Sequence, residues 1–177
     1  MSSQFPAHAQ APGGVIGGQP ASRLDPLAYL LMRTVFGLVM MTHGLPKLLG
    51  TSHGSMADPM AGATRLIAEV LHLPGTPVLA WLVAVLETFG GAMLIAGAFT
   101  RPLAALMTLQ MIAICYIHRQ HFAWIDRGME YPLVLLSVAL LIAARGGGAW
   151  SLDGALAARR RSRAGQGAMR ARPPWRD

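Results

Sequence analysis

Residues 78–99 read VLAWLVAVLETFGGAMLIAGAF, twenty-two residues in which Glu87 is the one charged side chain. A helix needs ~20 predominantly apolar residues to cross the ~30 Å hydrocarbon core of a bilayer, and this run supplies them. A soluble helix of that length would carry a polar face, and there is none here. Three more apolar runs surround it: Leu27–Leu49 before, Leu103–Ile117 and Tyr131–Ala144 after. The first is long enough as it stands, and the last two reach span length with a few residues added at each end. Thr100-Arg101-Pro102 separates the second run from the third, and Gly146-Gly147-Gly148 closes the fourth, as helix ends require. The expected fold class is all-α: an integral membrane four-helix bundle.

Composition agrees, since 53% of the 177 residues are hydrophobic and 13% charged, against roughly 25% charged in a soluble domain. The net charge of +7 is unevenly placed. Residues 145–177 hold eight arginines against Asp153 and Asp177, a net +6, whereas residues 1–144 carry only +1. A nucleic-acid-binding fold lays its basic residues across the folded domain, so this distribution argues against one. The single cysteine, Cys115, excludes an internal disulfide and a thiolate metal cluster within one chain. There is no Walker loop, dinucleotide fingerprint or zinc motif, so soluble-enzyme chemistry has no support.

The chain therefore divides into residues 1–23, a Gly/Pro-rich segment expected to be disordered and lacking the pattern of a cleaved signal peptide, a membrane domain over 24–153, and a basic tail over 154–177. An even number of spans places both termini on one side, and the Arg159–Arg163 cluster marks that side as cytoplasmic. Arg101 then also lies inside; Arg65, Arg119 and Arg127 fall outside, accompanied by Glu69 and Asp126. Between the first two spans, Asp58 and Pro59 open a stretch in which Met60, Ala63, Ile67, Val70 and Leu71 recur at helical spacing. This predicts a short amphipathic helix in the first outer loop, lying on the interface or packing over the bundle end. Ser151-Leu152-Asp153 reads as a cap that starts a cytoplasmic helix into the arginine cluster, whose charge suits anionic lipid at ~1 kcal/mol per residue.

The charges inside the spans carry the functional information. An ionisable group at bilayer depth costs ~2.5 kcal/mol or more on insertion scales, so it faces the bundle interior and has a partner. Glu87 shares a helical face with Gly90, Gly91, Leu94, Gly97 and Ala98, a mostly small face that admits another helix closely. Arg33 shares its face with Gly37, Met40, Gly44 and Lys47. Measured from the cytoplasmic ends of their runs, Arg33 lies about 9 Å deep and Glu87 about 18 Å deep at ~1.5 Å per residue, which predicts an Arg33–Glu87 pair. A second set gathers at the outer face: His43 and Lys47 at the end of span one, His118 and His121 after span three, Glu130 opening span four, with His53 and His72 in the loop beside them. Imidazoles and a carboxylate there suit proton relay or the carbonyl oxygens of a quinone. They equally suit the plain task of anchoring span ends. A His43/His118 pair has the ligand type for haem iron, but nothing else marks a haem pocket; no metal site is expected. Met32, Met40, Met41, Met93, Met107, Met111 and Met129 lie in or beside spans and read as gap fillers.

In order along the chain, Arg33, His43-Gly44-Leu45-Pro46-Lys47-Leu48, Leu73-Pro74, Leu86-Glu87-Thr88-Phe89-Gly90-Gly91 and Gly97-Ala98-Phe99-Thr100-Arg101 resemble the DoxX family of small bacterial membrane proteins. So do His118, Gly128-Met129-Glu130-Tyr131 and Gly146-Gly147-Gly148-Ala149-Trp150-Ser151-Leu152-Asp153, which extends the likeness over about residues 27–153. The resemblance implies a multi-pass protein of the bacterial inner membrane, linked in some members to quinone-coupled thiosulfate oxidation or to thiol and oxidative-stress systems. It points to Arg33, His43, Lys47, Glu87, Arg101, His118 and Glu130. On that reading Glu87, His118 and Glu130 are candidate catalytic groups, and Arg33, His43, Lys47 and Arg101 candidate cofactor-binding groups. Two functions follow. One is a redox subunit binding or serving a membrane quinone; the chain has neither a flavin fingerprint nor a cysteine pair, so electrons come from a partner protein or a bound cofactor. The other is a non-catalytic scaffold whose basic tail recruits a soluble partner. A transporter ranks third, because four spans are few without a homo-oligomer.

Overall fold

The computed structural model describes residues 24–170, so the expectation of disorder for residues 1–23 falls outside it, as do the last seven residues of the tail. The described chain is helical throughout: α1 (Leu24–Leu49), α2 (Pro59–Glu69), α3 (Thr76–Val85), a π-turn (Leu86–Gly90), α4 (Gly91–Ala96), α5 (Thr100–Ile117), a 3-10 turn (Trp124–Asp126), α6 (Glu130–Arg145) and α7 (Leu152–Arg170). α3, the π-turn and α4 form one continuous 21-residue helix, Thr76–Ala96. That helix, α1 and α5 are each long and apolar enough to cross a membrane. α6 is the fourth, shorter member, an apolar helix of 16 residues that reaches about 24 Å at ~1.5 Å per residue.

α1 packs against the α3–α4 helix, and α5 packs along α6, so the bundle consists of two helical hairpins. Their inner faces enclose Phe36, Met40, Leu94, Ala104, Met107, Met111, Ala139 and Ile142. Three of the methionines read as gap fillers, Met40, Met107 and Met111, lie in this core. The opposite faces show Leu38, Trp81, Phe89, Leu109 and Leu140 at half exposure or more. In water such a surface would aggregate; in a bilayer it is the lipid-facing side.

The ends of the helices follow from local chemistry. Asp58 caps α2 by accepting from the Ala61 amide at 2.9 Å, and Pro59 occupies the first turn. The predicted amphipathic helix is thus present, and Pro59 and Ile67 on its inner side are buried. The turn between the second and third spans is tighter than Thr100-Arg101-Pro102 suggested. The helix ends at Ala96, Gly97 and Phe99 take left-handed conformations (φ 72° and 48°), and α5 starts at Thr100. Gly97 adopts this geometry freely; Phe99 adopts it against the clash of its own Cβ. What holds Phe99 there is part of the corner described below.

Candidate functional site

The site begins with glycines. A methyl group added at Gly37 would stand 2.6 Å from the Gly91 carbonyl oxygen, and one at Gly44 would stand 2.5 Å from Thr88 Oγ1 and 2.6 Å from Glu87 Cβ. Gly37 and Gly44 lie two helical turns apart on the α1 face that also carries Met40 and Lys47. The two small faces read from the sequence therefore meet, and α1 touches the α3–α4 helix almost backbone to backbone. This approach brings the end of α1 over the π-turn. Lys47 Nζ donates to Glu87 Oε2 at 2.5 Å, and Gln110 Nε2, from α5, donates to Glu87 Oε1 at 2.7 Å. Side-chain exposure is 13% for Lys47 and 4% for Glu87, which makes the ammonium the outer member of the pair.

Around this carboxylate the hydrogen bonding is incomplete. Gln110 Oε1 and Thr88 Oγ1 are buried and have no partner. The π-turn contributes to the arrangement: its wider coil turns Glu87, Thr88 and Gly90 inward together. Single π-turns inside α-helices occur frequently at functional sites. Gln110 escapes a search for ionisable residues because it has no charge. The available signal was an amide midway along an apolar 18-residue helix, which needs a partner as surely as a carboxylate does.

The expected Arg33–Glu87 pair does not form. Gly37 faces Gly91, Gly44 faces Glu87 and Thr88, and Arg33 stands beside Gly97 and Ile95. Arg33 is thus eleven residues from Gly44, the position opposite Glu87, or about 16 Å along the helix axis. The depth estimate failed because it gave both helices a common starting level, whereas α1 begins well beyond the level at which its partner ends. Lys47, on the same face as Arg33, is the residue that this register brings to Glu87.

Arg33 instead organises the corner at the opposite end of the bundle, where α1 begins and α6 ends. Its guanidinium donates to the Gly147 carbonyl and to the Trp150 carbonyl at 2.8 Å. Tyr29 donates its hydroxyl to the Gly146 carbonyl, and the Arg145 guanidinium lies 4.6 Å from the centre of the Tyr29 ring. The glycine run after α6 is thereby tied to the first helix. Ser151 caps α7, its hydroxyl accepting from the Gly154 amide at 2.9 Å. Asp153, read only as part of that cap, also caps a different helix: its carboxylate accepts from the Phe99 amide at 3.0 Å and the Thr100 amide at 2.9 Å. Its own amide donates to the Gly97 carbonyl at 3.0 Å. Partial burial pushes the Asp153 carboxyl upward, but the bonds from Thr100 and Phe99, with the Arg33 charge nearby, hold it below the usual carboxylate range. Arg101, the other arginine singled out from the sequence, lies exposed beside Gly146 at this same end.

The outer set is only partly gathered. His43 donates from Nδ1 to the Val39 carbonyl at 2.9 Å, which leaves Nε2 as the free nitrogen, and its ring centre is 4.9 Å from that of His53. His118 ends α5 and is half-buried. Glu130 accepts from the Trp124 amide at 3.0 Å, holding the turn that leads into α6. Among the described residues no side-chain hydrogen bond joins His118 or Glu130 to the Lys47–Glu87 pair. Nor, among them, do three or more His, Cys, Asp or Glu side chains stand together as a metal site.

The comparisons with known proteins bear on this architecture. The DoxX family model matches residues 28–120, which takes in most of α1, the glycine contact, Lys47, Glu87 and Gln110. α6 and the Gly146–Asp153 corner, included in the likeness over residues 27–153, lie beyond the match. No curated protein and no solved structure matches the chain. The family model covers more than half of the sequence and every helix that builds the buried polar site: this multi-pass membrane protein belongs to the DoxX family.

Proposed function

We propose that this protein is the membrane-embedded subunit of a redox system of the bacterial inner membrane, serving a membrane quinone at the Lys47–Glu87–Gln110 site with electrons from a partner protein. The observation that carries the reading is the pair of buried, unpartnered oxygens beside Glu87: Gln110 Oε1, an acceptor, and the Thr88 hydroxyl, a donor. Leaving such groups unsatisfied costs about 1–3 kcal/mol each, and a head group that both accepts and donates hydrogen bonds satisfies them. The quinol head, formed when a quinone takes up two electrons and two protons, fits both groups: one hydroxyl donates to Gln110 Oε1 and an oxygen accepts from Thr88, whereas the oxidised carbonyl can only accept, from Thr88.

The residues of the chain then have distinct tasks. Thr88 and Gln110 orient the oxygen atoms of the head group. Glu87, held between Lys47 and Gln110, is the carboxylate that exchanges a proton with the head group. Lys47, the more exposed partner, links the carboxylate to the outer face, on the side of His43 and His118. Arg33, Arg101 and Glu130 act at a distance, by fixing the helix ends. The arginines of α7 favour a cytoplasmic side for both termini by the positive-inside rule.

The test is to purify the protein in mild detergent, extract it for quinone, and assay quinone reduction with any soluble protein that accompanies it. Quinone is expected to co-purify with the wild type and to be lost in Gln110→Leu and Thr88→Val variants that remain folded. An extract without quinone, or quinone reduction unchanged in a variant lacking both Glu87 and His118, overturns the reading.

A second reading has its own support. Arg33, Glu130 and Asp153 all direct their charge at backbone groups, which is how a scaffold uses charged residues. On that reading the bundle has no reaction of its own, and its basic tail recruits a soluble partner.

A further inference from the structure

Beyond the corner, α7 leaves the bundle. Its first turn is fixed by Ser151 and Asp153, after which it has no extended packing against another helix. Arg159, Arg160, Arg161 and Arg163 are all exposed, and among the described residues no acidic side chain pairs with them. The one carboxylate in the helix, Asp153, is engaged by the amides of Phe99 and Thr100. The charges are arranged as well as concentrated: Leu152, Leu156, Arg159, Arg160 and Arg163 recur at steps of four, three, one and three residues, which places them on one side of the helix. Leu156, Arg159, Arg160 and Arg163 together form an open cradle of about 200 Å³ lined chiefly by their apolar stems. At the base of this side Leu152 and Leu156 are more than half exposed, and so is Trp150 just before the helix.

We infer that α7 is a surface-binding helix that docks on the anionic leaflet of the same membrane, its Arg159–Arg160–Arg163 cradle taking the phosphate of a lipid head group. Two features favour a lipid surface over an acidic protein. The helix starts where the last membrane helix ends, so its first turns lie at head-group level. In addition, the exposed Trp150, Leu152 and Leu156 beside the arginines supply the apolar contact with the acyl boundary that interfacial helices use. Each arginine near an anionic surface strengthens association about fivefold.

The full-length protein tests this in lipid nanodiscs. Gln166 is exposed and lies close to the cradle side of the helix. A Gln166→Cys change in a Cys115→Ser background therefore carries an environment-sensitive fluorophore, and brominated lipid reports contact. Quenching is expected to be severalfold greater in phosphatidylglycerol discs than in phosphatidylcholine discs. It should fall to the phosphatidylcholine level at ~1 M salt, where the screening length is ~3 Å, and in the variant R159Q/R160Q/R163Q. Inorganic phosphate should act no more strongly than chloride at equal ionic strength. Equal quenching in the two lipids, or quenching unchanged in the triple variant, overturns the proposal and leaves the face to a protein partner. Selective competition by inorganic phosphate assigns the cradle to a free anion and likewise overturns it. An unchanged helical spectrum and elution profile of the variant separates lost docking from lost folding.

Discussion

Replacing Lys47 by Met leaves the Glu87 carboxylate, 4% exposed, with Gln110 as its remaining partner. Unit charges 2.5 Å apart attract by about 7 kcal/mol at an effective dielectric constant of ~20. Desolvation cancels much of this, and removing one member of a buried pair typically costs about 3–5 kcal/mol. Within a membrane the unfolded reference also finds partners for polar groups, so the lower end, about 3 kcal/mol, is expected for Lys47→Met. Glu87→Gln should cost less, about 1–2 kcal/mol, because the amide still accepts from Gln110 and the Lys47 side chain can extend toward the interface. In the double variant no buried charge remains at this site. Its cost should approach that of Glu87→Gln alone, a coupling of roughly 3 kcal/mol, far above the ~0.5 kcal/mol scatter of independent sites. Reversible unfolding in mixed micelles or steric trapping in bicelles gives the three free energies. Costs that add within that scatter would show that the pair contributes no specific interaction. A charge exchange between Arg33 and Glu87 is the control, and it should rescue neither single change.

Three further outcomes are expected. Gly44→Ala drives a methyl group into Thr88 and Glu87 and should cost about 1–3 kcal/mol by overpacking; wild-type stability in the same unfolding assay would contradict the close helix contact. Asp153→Ala removes the cap of α5 and should cost about 1 kcal/mol at neutral pH. Since the folded carboxyl is held below its ordinary value, this contribution is complete above the unfolded pKa of ~3.9 and is lost as pH falls through the folded value. The difference between wild type and variant should therefore close in acid, and a pH-independent gap would assign it to another cause. Arg33→Gln deprives the Gly147 and Trp150 carbonyls of charged donors and should cost about 1.5–3 kcal/mol. Protease access at residues 145–150 should rise with it, and an unchanged cleavage rate there would count against the corner.

The helices were legible because membrane crossing imposes a length and an apolarity that few residues violate. The first run, 27–49, and the last, 131–144, sit within α1 and α6 almost to the residue. The small faces of α1 and the α3–α4 helix were legible too, since glycine spacing determines where backbones touch. The pairing of charges was not. It depends on the relative slide of two antiparallel helices, and a slide of about four turns exchanges Arg33 for Lys47 as the partner of Glu87. Sequence periodicity fixes rotation about a helix axis far better than translation along it. Gln110 and Asp153 were missed for related reasons: their partners lie 23 and 53 residues away, and neither contact leaves a local pattern.

The cap on α5 also sets an order of events. A nascent chain emits Phe99 and Thr100 long before Asp153, so the turn between the second and third membrane helices lacks the partner of its two amides, and Phe99 is not held in its left-handed conformation, until α6 has been made. The first hairpin cannot close that end alone. Residue 153 acts as a completion signal, the point in synthesis at which the start of the bundle, through Arg33, and its middle, through Thr100, are fastened by the same short segment.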